Sequence, residues 1–173
     1  NMVTSGLRGF FAQLICLKMA DVVVTTIGAI EEDIMKSIGE EFLIGSFSAN
    51  DIKLHEDGLN RVGNLLISNE SYCNFEDKIQ AILLKLYEKQ HKYSCVSLMR
   101  EIGLTLEDEN SILYQAAKNN VPVFCPAPTD GAFGFHLYLF RQKHPDFIID
   151  LVEDFGELLT ASAFDKKKGI ISL

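Results

Sequence analysis

A run of apolar, mostly β-branched residues near the start of the chain most constrains how this sequence can fold. Its letters are VVVTTIGAIEED, residues 22–33, and it passes from three valines through a small-residue turn to three consecutive acids. Such a run is typical of a buried strand in a parallel sheet. Because ligands bind outside the carboxyl ends of the strands in open α/β sheets, this stretch predicts a ligand-facing sheet edge.

Helical and strand patterns alternate along the rest of the sequence. Apolar residues at three- and four-residue steps, with Ser5 and Asn74 as N-caps of the first and third helices, predict helices at residues 6–19, 30–38, 74–91, 96–102, 111–118, 133–141 and 151–164. Short β-branched runs predict strands at residues 21–26, 121–125, 147–150 and 170–173. This alternation predicts an α/β fold with a parallel sheet and helices on both faces.

Two polar stretches allow more than one interpretation. Residues 39–73 predict a long loop, in which Arg61 and two asparagines lie among glycines and either approach an anionic cofactor or simply form turns. Asp130 is either an Asx-turn residue or a ligand group, because it follows the end of a predicted strand just as Thr26 does. Glu31 and Glu32 fall in the first turn of the predicted helix 30–38, where carboxylates favour the helix dipole.

Composition narrows the class of protein. The 173 residues are 47% hydrophobic, which predicts one domain with a real core, and the net charge of −8 argues against a nucleic-acid partner and favours a cationic one. No apolar run reaches the roughly 18 residues that a membrane span needs. The four cysteines are widely spaced, so we expect reduced thiols in the cytoplasm rather than a metal site or a disulfide framework: Cys16, Cys73, Cys95 and Cys125.

Bare spacing identifies no enzyme. The sequence has no GxSxG, HExxH, GxxxxGK[ST] or GxGxxG pattern. Among its histidines, only His136, in an aromatic segment, stays a candidate for a functional residue. The chain begins with Asn and closes on an apolar run, so we expect an interior piece of a longer protein.

Several motifs, in order and with similar spacing, give a resemblance that spans nearly the whole chain. They are NMVTSG at 1–6, VTTIGAIEED at 24–33, GLNRVGNLL at 58–66, NESYC at 69–73, PVFCPAPTDG at 122–131 and IIDLVED at 148–154. Together they resemble deoxyhypusine synthase. The resemblance implies a Rossmann-like parallel α/β fold, a tetramer of like or paralogous subunits, and residues 1–173 as a single NAD-binding domain.

The activity that the resemblance implies is a transfer reaction. Members of the family use NAD to oxidise spermidine and deliver its 4-aminobutyl group, through an imine on an enzyme lysine, to one lysine of the translation factor 5A precursor. The matching positions imply cofactor contacts and contacts with spermidine. The cofactor contacts are Asn1, Met2, Thr4, Thr26, Ile27, Gly28, Glu32 and Asp130, and the spermidine contacts are Glu31 and Glu32.

Two departures from the family pattern bear on activity. Phe135 stands where the family has an Asp that contacts spermidine, and the imine-forming lysine is expected beyond Leu173, so this chain alone has no catalytic residue. The first hypothesis is therefore the cofactor-binding part of a deoxyhypusine synthase. The alternatives are a catalytically dead paralogue that regulates an active partner, for which Phe135 argues, and a plain NAD-binding module.

Overall fold

The computed structural model describes residues 2–163 and 167–172. After an opening helical turn, Val3–Leu7, helices and strands follow one another along the chain. The helices are α1 Arg8–Cys16, α2 Ile27–Ser37, α3 Asp51–Glu56, α4 Asn69–Lys89, α5 Cys95–Leu104, α6 Ile112–Asn119, α7 Ala132–Lys143 and α8 Leu151–Ala161. The strands are β1 Val23–Val24, β2 Leu43–Ile44, β3 Leu59–Val62, β4 Leu65–Ser68, β5 Lys92–Ser94, β6 Val123–Phe124 and β7 Ile148–Asp150.

Parallel strand pairs confirm the predicted α/β class. Strand β1 pairs with β6, with Val23 opposite Val123, and β5 pairs with β7, with Tyr93 opposite Ile149. Because β1 and β6 run parallel, their carboxyl ends lie at the same edge of the sheet. Each paired strand leads into a helix or a loop at this end. The predicted first strand is longer than the observed one, because regular pairing covers only Val23 and Val24.

The prediction of a long loop at residues 39–73 was wrong. This segment forms helix α3 and an antiparallel sheet in the order β2-β4-β3, and it ends in the first turns of α4. Strands β3 and β4 form a hairpin across Gly63 and Asn64, and Gly63 has a φ of +66°. A Gly-Asn dipeptide between two apolar runs is a hairpin signal. Its presence was masked by the many polar residues around it.

The core lies between the helices and the parallel pairs. Its largest fully buried side chains include Ile30 of α2, Phe75 of α4, Phe133 of α7 and Phe147 before β7, and β4 and α5 contribute others. Within the predicted aromatic segment, Phe133 and Phe140 are core rings, whereas Phe135 and Tyr138 are exposed. The cysteines are free thiols, Cys95 and Cys125 being buried. Burial raises the pKa of the Cys125 thiol to about 11, so it stays protonated at neutral pH.

Several predicted boundaries moved for identifiable reasons. Helix α4 begins five residues early because Ser68, not Asn74, accepts the capping bond, from the N–H of Ser71 at 3.0 Å. Ser5 caps no helix, since its hydroxyl donates to the carbonyl of Met2 at 3.0 Å. Strand β5 was not predicted.

The last predicted strand is not observed either. Residues 167–172 form no regular structure, and Ile170 and Ile171 are exposed; Leu173 lies outside the described residues. Within residues 2–163 and 167–172, no helix has both the length and the apolar character that a membrane crossing requires.

Candidate functional site

A cleft of about 530 Å³ opens beside the ends of β1 and β6. One wall consists of the first turns of α2 and the loop after β6; the other consists of the β3–β4 hairpin turn and the loop that follows β2. The opening turn of the chain contributes Thr4 and Ser5. This volume lies within the range of small-molecule sites, about 300–1,000 Å³.

Most of the predicted contact residues meet in this cleft. Those that line it are Thr4, Thr26, Gly28, Glu31, Glu32 and Asp130. Ile27 does not line it, because its side chain packs into the core at 2% exposure. Met2 is half-buried and is not part of the lining, and Asn1 lies outside the described residues.

The amino end of helix α2 forms part of the wall. Thr26 is the N-cap residue, and its side chain makes no capping bond. The helix begins at Ile27, three residues earlier than predicted, so the small-residue turn is the first helical turn. Exposed N–H groups and the helix dipole favour an anion at such an end.

This earlier start overturns the interpretation of the acids as first-turn residues. Glu31 and Glu32 lie in the second turn of α2, and the first turn has no acid. They therefore gain little from the dipole of their own helix, whose effect falls off within the first turn. Their positions need another explanation.

Glu31 caps a different helix. Its Oε2 accepts the backbone N–H of Phe133 at 3.1 Å, at the start of α7, where the helix has no side-chain cap of its own. A Cβ on Gly131 would lie 2.8 Å from this oxygen and 2.8 Å from Cγ2 of Ile27. Glycine at 131 is thus required by the close approach of the carboxylate.

Burial raises the pKa of the Glu31 carboxyl above its ordinary value of 4.5. The backbone N–H groups of Phe133 and Ala132 oppose this rise, while the negative charge of Glu32 adds to it. The phenol of Tyr72, which also lines the cleft, has a raised pKa because of burial and then because of Glu31 and Glu32. The cleft is therefore electrically negative on this side and suits a cation.

Glu32 is buried at the floor of the cleft and accepts a hydrogen bond from the hydroxyl of Thr4. This bond joins the opening turn of the chain to α2. Thr4 and Glu32, both predicted as cofactor contacts, are therefore neighbours in the cleft.

Asp33 points away from the cleft. Its carboxylate accepts the Arg8 Nε–H at 2.5 Å, the Ser111 hydroxyl at 2.8 Å and the Leu113 N–H at 2.9 Å, so it joins α1 to the capped end of α6. Three consecutive acids thus have three different roles.

Asp130 is held in the loop between β6 and α7. Its N–H donates to the carbonyl of Ala127 at 3.2 Å, which closes a turn. A Cβ on Gly134 would lie 2.4 Å from the Cα of Thr129, so this loop packs directly on α7. Asp130 therefore lies in a backbone turn and also lines the cleft.

The turn interpretation of the Arg61 segment is the one that the contacts support. Arg61 donates from Nε to Asp51 Oδ1 at 2.6 Å and from Nη2 to Oδ2 at 2.8 Å, and a third bond reaches the carbonyl of Gly63 at 2.9 Å. Its guanidinium is therefore committed to α3 and to the hairpin turn.

Two other candidates lie outside the cleft lining. Phe135 is 57% exposed on α7, with its ring 5.9 Å from that of His136. His136 is buried against Phe75, and within the described part of the chain its Nδ1 has no hydrogen-bond partner. Burial lowers its pKa, so the ring packs in its neutral form.

Sequence reasoning left one wall of the cleft undecided, since the segment of Arg61 and Asn64 allowed either a cofactor contact or a turn, and it missed Phe47 altogether. Phe47, Val62, Asn64 and Leu65 line it from the loop after β2 and from the hairpin. The Gly-Asn turn was a usable signal for Val62 to Leu65. No local pattern distinguished Phe47 from other surface aromatic residues.

The fold and the cleft define the class of protein: an α/β protein with a ligand-sized cleft at the carboxyl ends of parallel strands. The family model for deoxyhypusine synthase matches residues 1–173. The chain therefore belongs to the deoxyhypusine synthase family.

Individual relatives agree with this assignment. A protein of Thermoplasma acidophilum named "Probable deoxyhypusine synthase" is 43% identical over 169 residues, covering 97% of this chain and 54% of the relative. The deoxyhypusine synthase of Neurospora crassa is 39% identical over 184 residues, covering 100% of this chain and 52% of the relative. The chain thus spans about half the length of the curated relatives it matches.

A solved structure is similar in fold. A crystal structure from Entamoeba histolytica assigned to deoxyhypusine synthase superposes with a TM-score of 0.71 at 30% identity, covering 92% of this chain and 49% of that one.

Proposed function

We propose that this chain forms the NAD-binding part of a deoxyhypusine synthase. In this reaction the 4-aminobutyl group of spermidine is transferred to a specific lysine of the translation factor 5A precursor. The observation that carries the proposal is the cleft, because it gathers six of the residues at which the family resemblance implies contacts. Family membership adds the reaction class, a transferase.

The residues around the cleft fit a dinucleotide. The amino end of α2, with Thr26 at the N-cap and Gly28 in the first turn, offers N–H groups and the positive end of a dipole to phosphate oxygens. Asp130 and Glu32 offer carboxylate oxygens to ribose hydroxyls. When bound, NAD supplies a hydride acceptor for the oxidation of spermidine.

The carboxylates give the cleft its preference for a polyamine. Glu31 and Glu32 lie on adjacent positions of α2 and line the same surface, so an ammonium group there meets two acids. Charge-assisted hydrogen bonds to ammonium are shorter and stronger than neutral ones. Because the bond from Phe133 already holds Glu31, this side chain is positioned before the ligand arrives.

The remaining parts of the proposal concern the whole protein. The imine-forming lysine is supplied by sequence after Leu173, residues 1–173 form one domain, and like or paralogous subunits assemble into a tetramer in the cytoplasm. These statements follow from the family resemblance. They are joined to the present chain by its match to the family over residues 1–173, which spans about half the length of a curated relative.

The test uses the protein in its natural full length. Spermidine labelled in the 4-aminobutyl group is incubated with the protein, NAD and the 5A precursor, and label on the precursor lysine is measured by mass spectrometry. We expect transfer that requires NAD. The absence of transfer, or transfer that proceeds equally well without NAD, would contradict the proposal.

The cofactor site has its own test. Asp130→Ala should weaken NAD binding about tenfold, because it removes a charged acceptor from the cleft. Isothermal titration calorimetry measures the affinity, with Asp77→Ala, an exposed acid on α4, as the matched control. Equal NAD affinities for wild type and Asp130→Ala would count against the site.

One observation favours the regulatory-subunit alternative. Phe135, an exposed aromatic residue on α7, stands where the resemblance implies an Asp that contacts spermidine. If the alternative holds, the protein transfers no label alone, and Phe135→Asp increases its affinity for spermidine. Transfer by the protein alone, together with an unchanged affinity in Phe135→Asp, would eliminate it.

A further inference from the structure

Phe47 is an exposed aromatic side chain that lines the cleft. It lies in the loop after β2, and its side chain is 73% exposed. Phe47 is outside the sequence motifs and has no role in the proposed function. Exposing a large apolar ring to water costs free energy in proportion to its exposed apolar surface. Such a ring inside a ligand-sized cleft is a candidate contact.

The backbone around Phe47 is fixed. The N–H of Ala49 donates to the carbonyl of Ser46 at 3.2 Å, and the N–H of Ser48 donates to the Ser46 hydroxyl at 3.2 Å, so Phe47 sits within a closed turn. The N–H of Gly45 donates to the carbonyl of Asn64 at 2.7 Å, which ties this turn to the β3–β4 hairpin.

The ring itself rests on the hairpin turn. A Cβ on Gly63 would lie 3.3 Å from Cε1 of Phe47, so the ring is in close contact with this glycine. Gly63 also has a φ of +66°, which a side chain would strain. One part of the ring is thereby supported, while most of its surface stays exposed to solvent beside the cleft that it lines.

The two walls of the cleft differ in chemistry. Thr26, Gly28, Glu31, Glu32 and Asp130 make one wall polar and charged, whereas the hairpin wall is uncharged: Phe47, Val62, Gly63, Asn64 and Leu65. Phosphates, hydroxyls and ammonium groups suit the first wall. A flat neutral ring suits the second, since aromatic side chains stack on nucleobases through their π faces.

We propose that the ring of Phe47 is the stacking surface for an aromatic base of a dinucleotide bound in this cleft. This inference rests on the proposed NAD-binding function and assigns the base to the hairpin wall. Contact with Gly63 and the turn at residues 46–49 restrict the position of the ring before binding, so little side-chain conformational entropy is lost when the base binds.

The test compares Phe47→Leu, which keeps an apolar side chain but removes the π face, with Phe47→Tyr, which keeps the ring. Isothermal titration calorimetry on the full-length protein measures the affinity for NAD. We expect Phe47→Leu to weaken binding roughly tenfold, as loss of a stacked base predicts. Phe47→Tyr should stay within about threefold of wild type, because its ring has the same π face.

Fragments of the cofactor identify which base is stacked. ADP-ribose lacks nicotinamide, and nicotinamide mononucleotide lacks adenine. Loss of affinity for ADP-ribose alone places adenine on Phe47, and loss for nicotinamide mononucleotide alone places nicotinamide there; either result supports the proposal. Equal losses for both fragments would indicate a general disturbance of the cleft and would overturn it.

A matched control and a mass measurement complete the design. Phe10→Leu changes another exposed phenylalanine, on α1 and outside the cleft lining, and should leave NAD affinity unchanged. If Phe47→Leu alters the assembly mass by light scattering and not the affinity, the ring contacts protein rather than a base, and the proposal is wrong. Failure of wild type to bind NAD would instead refute the proposed function itself.

Discussion

Glu31, Glu32 and Asp33 are neighbours in sequence, yet each carboxylate has its own environment. Glu31 accepts the Phe133 N–H and lines the cleft, Glu32 accepts the Thr4 hydroxyl, and Asp33 pairs with Arg8 on the opposite side of α2. Successive residues on a helix point about 100° apart, so three in a row reach different neighbours. The role of each acid follows from its direction.

The raised pKa of Glu31 leads to a pH prediction for spermidine binding. The carboxylate attracts an ammonium group only when ionised, and burial raises its pKa above 4.5. As pH falls through the raised pKa, the side chain gains a proton and spermidine affinity decreases. The decrease should therefore begin at a higher pH than an ordinary glutamate would give.

Glu31→Gln isolates this effect. We expect the variant to bind spermidine about tenfold more weakly at neutral pH, because a charged acceptor is replaced by a neutral one, and to show a flatter pH dependence. Calorimetric titrations across pH measure both, with the exposed Glu88→Gln on α4 as control. Identical pH profiles for wild type and Glu31→Gln would refute the assignment.

At the scale of elements, helix ends are joined by carboxylates from distant helices. Glu31 of α2 caps α7, Asp33 of α2 caps α6, and Asp154 of α8 caps α5 by accepting the N–H groups of Cys95 at 3.0 Å and Val96 at 2.9 Å. Each such acid satisfies orphan N–H groups and also fixes one helix against another. Helix α2 is thereby held between α6 and α7, with its amino end at the cleft.

Asp33 should be the most costly of these acids to remove. Its side chain is 1% exposed, so Asp33→Ala removes one of the two carboxylates that pair with Arg8 and leaves the N–H groups of Ile112 and Leu113 without their acceptor. Breaking a buried ion pair costs about 3–5 kcal/mol. Urea unfolding of the full-length protein measures the loss of stability.

The surface pair between Asp51 and Arg61 provides the control for Asp33→Ala. Asp51 is largely exposed, so Asp51→Ala should shift the urea midpoint far less. Comparable shifts for the two variants would show that the Asp33 network contributes no more than an exposed pair does.

A second prediction at this scale concerns the contact between α5 and α6. A Cβ on Gly103 would lie 2.3 Å from the carbonyl oxygen of Leu113, so the helices must separate in Gly103→Ala. Overpacking of this kind typically costs about 1–3 kcal/mol. Although the sequence predicted a helix that stops at residue 102, α5 continues to Leu104, and Gly103 lies inside it at the contact with α6.

Gly156→Ala is the matched control for this helix glycine. Apart from the backbone of α8 itself, no atom of the described residues lies within 4 Å of the Cβ position at Gly156, so alanine there should stabilise the protein by about 0.5–1 kcal/mol. Thermal unfolding of both variants should give shifts of opposite sign. A destabilised Gly156→Ala with an unaffected Gly103→Ala would contradict the packing argument.

At the scale of the whole molecule, helix α8 exposes several large apolar side chains to solvent. Val152 is 81% exposed, and Leu151, Phe155 and Leu159 lie exposed on the same helix. A contiguous apolar surface of this kind marks an interaction site more often than a free surface. Because the chain spans about half the length of its relatives, this surface fits a contact with the rest of the full-length protein as well as one with a neighbouring subunit.

The assembly prediction is tested by light scattering on the full-length protein. We expect a mass about four times that of one subunit, as a closed symmetric tetramer requires. A mass that stays at one subunit over a wide concentration range would refute the tetramer. The result is independent of whether the protein catalyses transfer.

The sequence by itself determined the α/β class, the existence of most helices and the family. Apolar spacing reports which face of a segment is buried, and this is local information that the residues around Phe75 and Ile79 carry clearly. The ordered motifs at Thr26, Glu31 and Asp130 also anticipated which segments meet in the cleft. The hairpin signal at Gly63 was available but was outweighed by its polar surroundings.

Only the tertiary structure decided what each polar residue does. Glu31 and Phe133 are 102 positions apart, and Asp33 and Ser111 are 78 apart, so no local pattern encodes these contacts. The same holds for Phe47, whose place in the cleft depends on a turn that pairs with residue 64. Hydrogen-bond partners are chosen by packing, because a carboxylate caps whichever helix end the folded chain brings within reach.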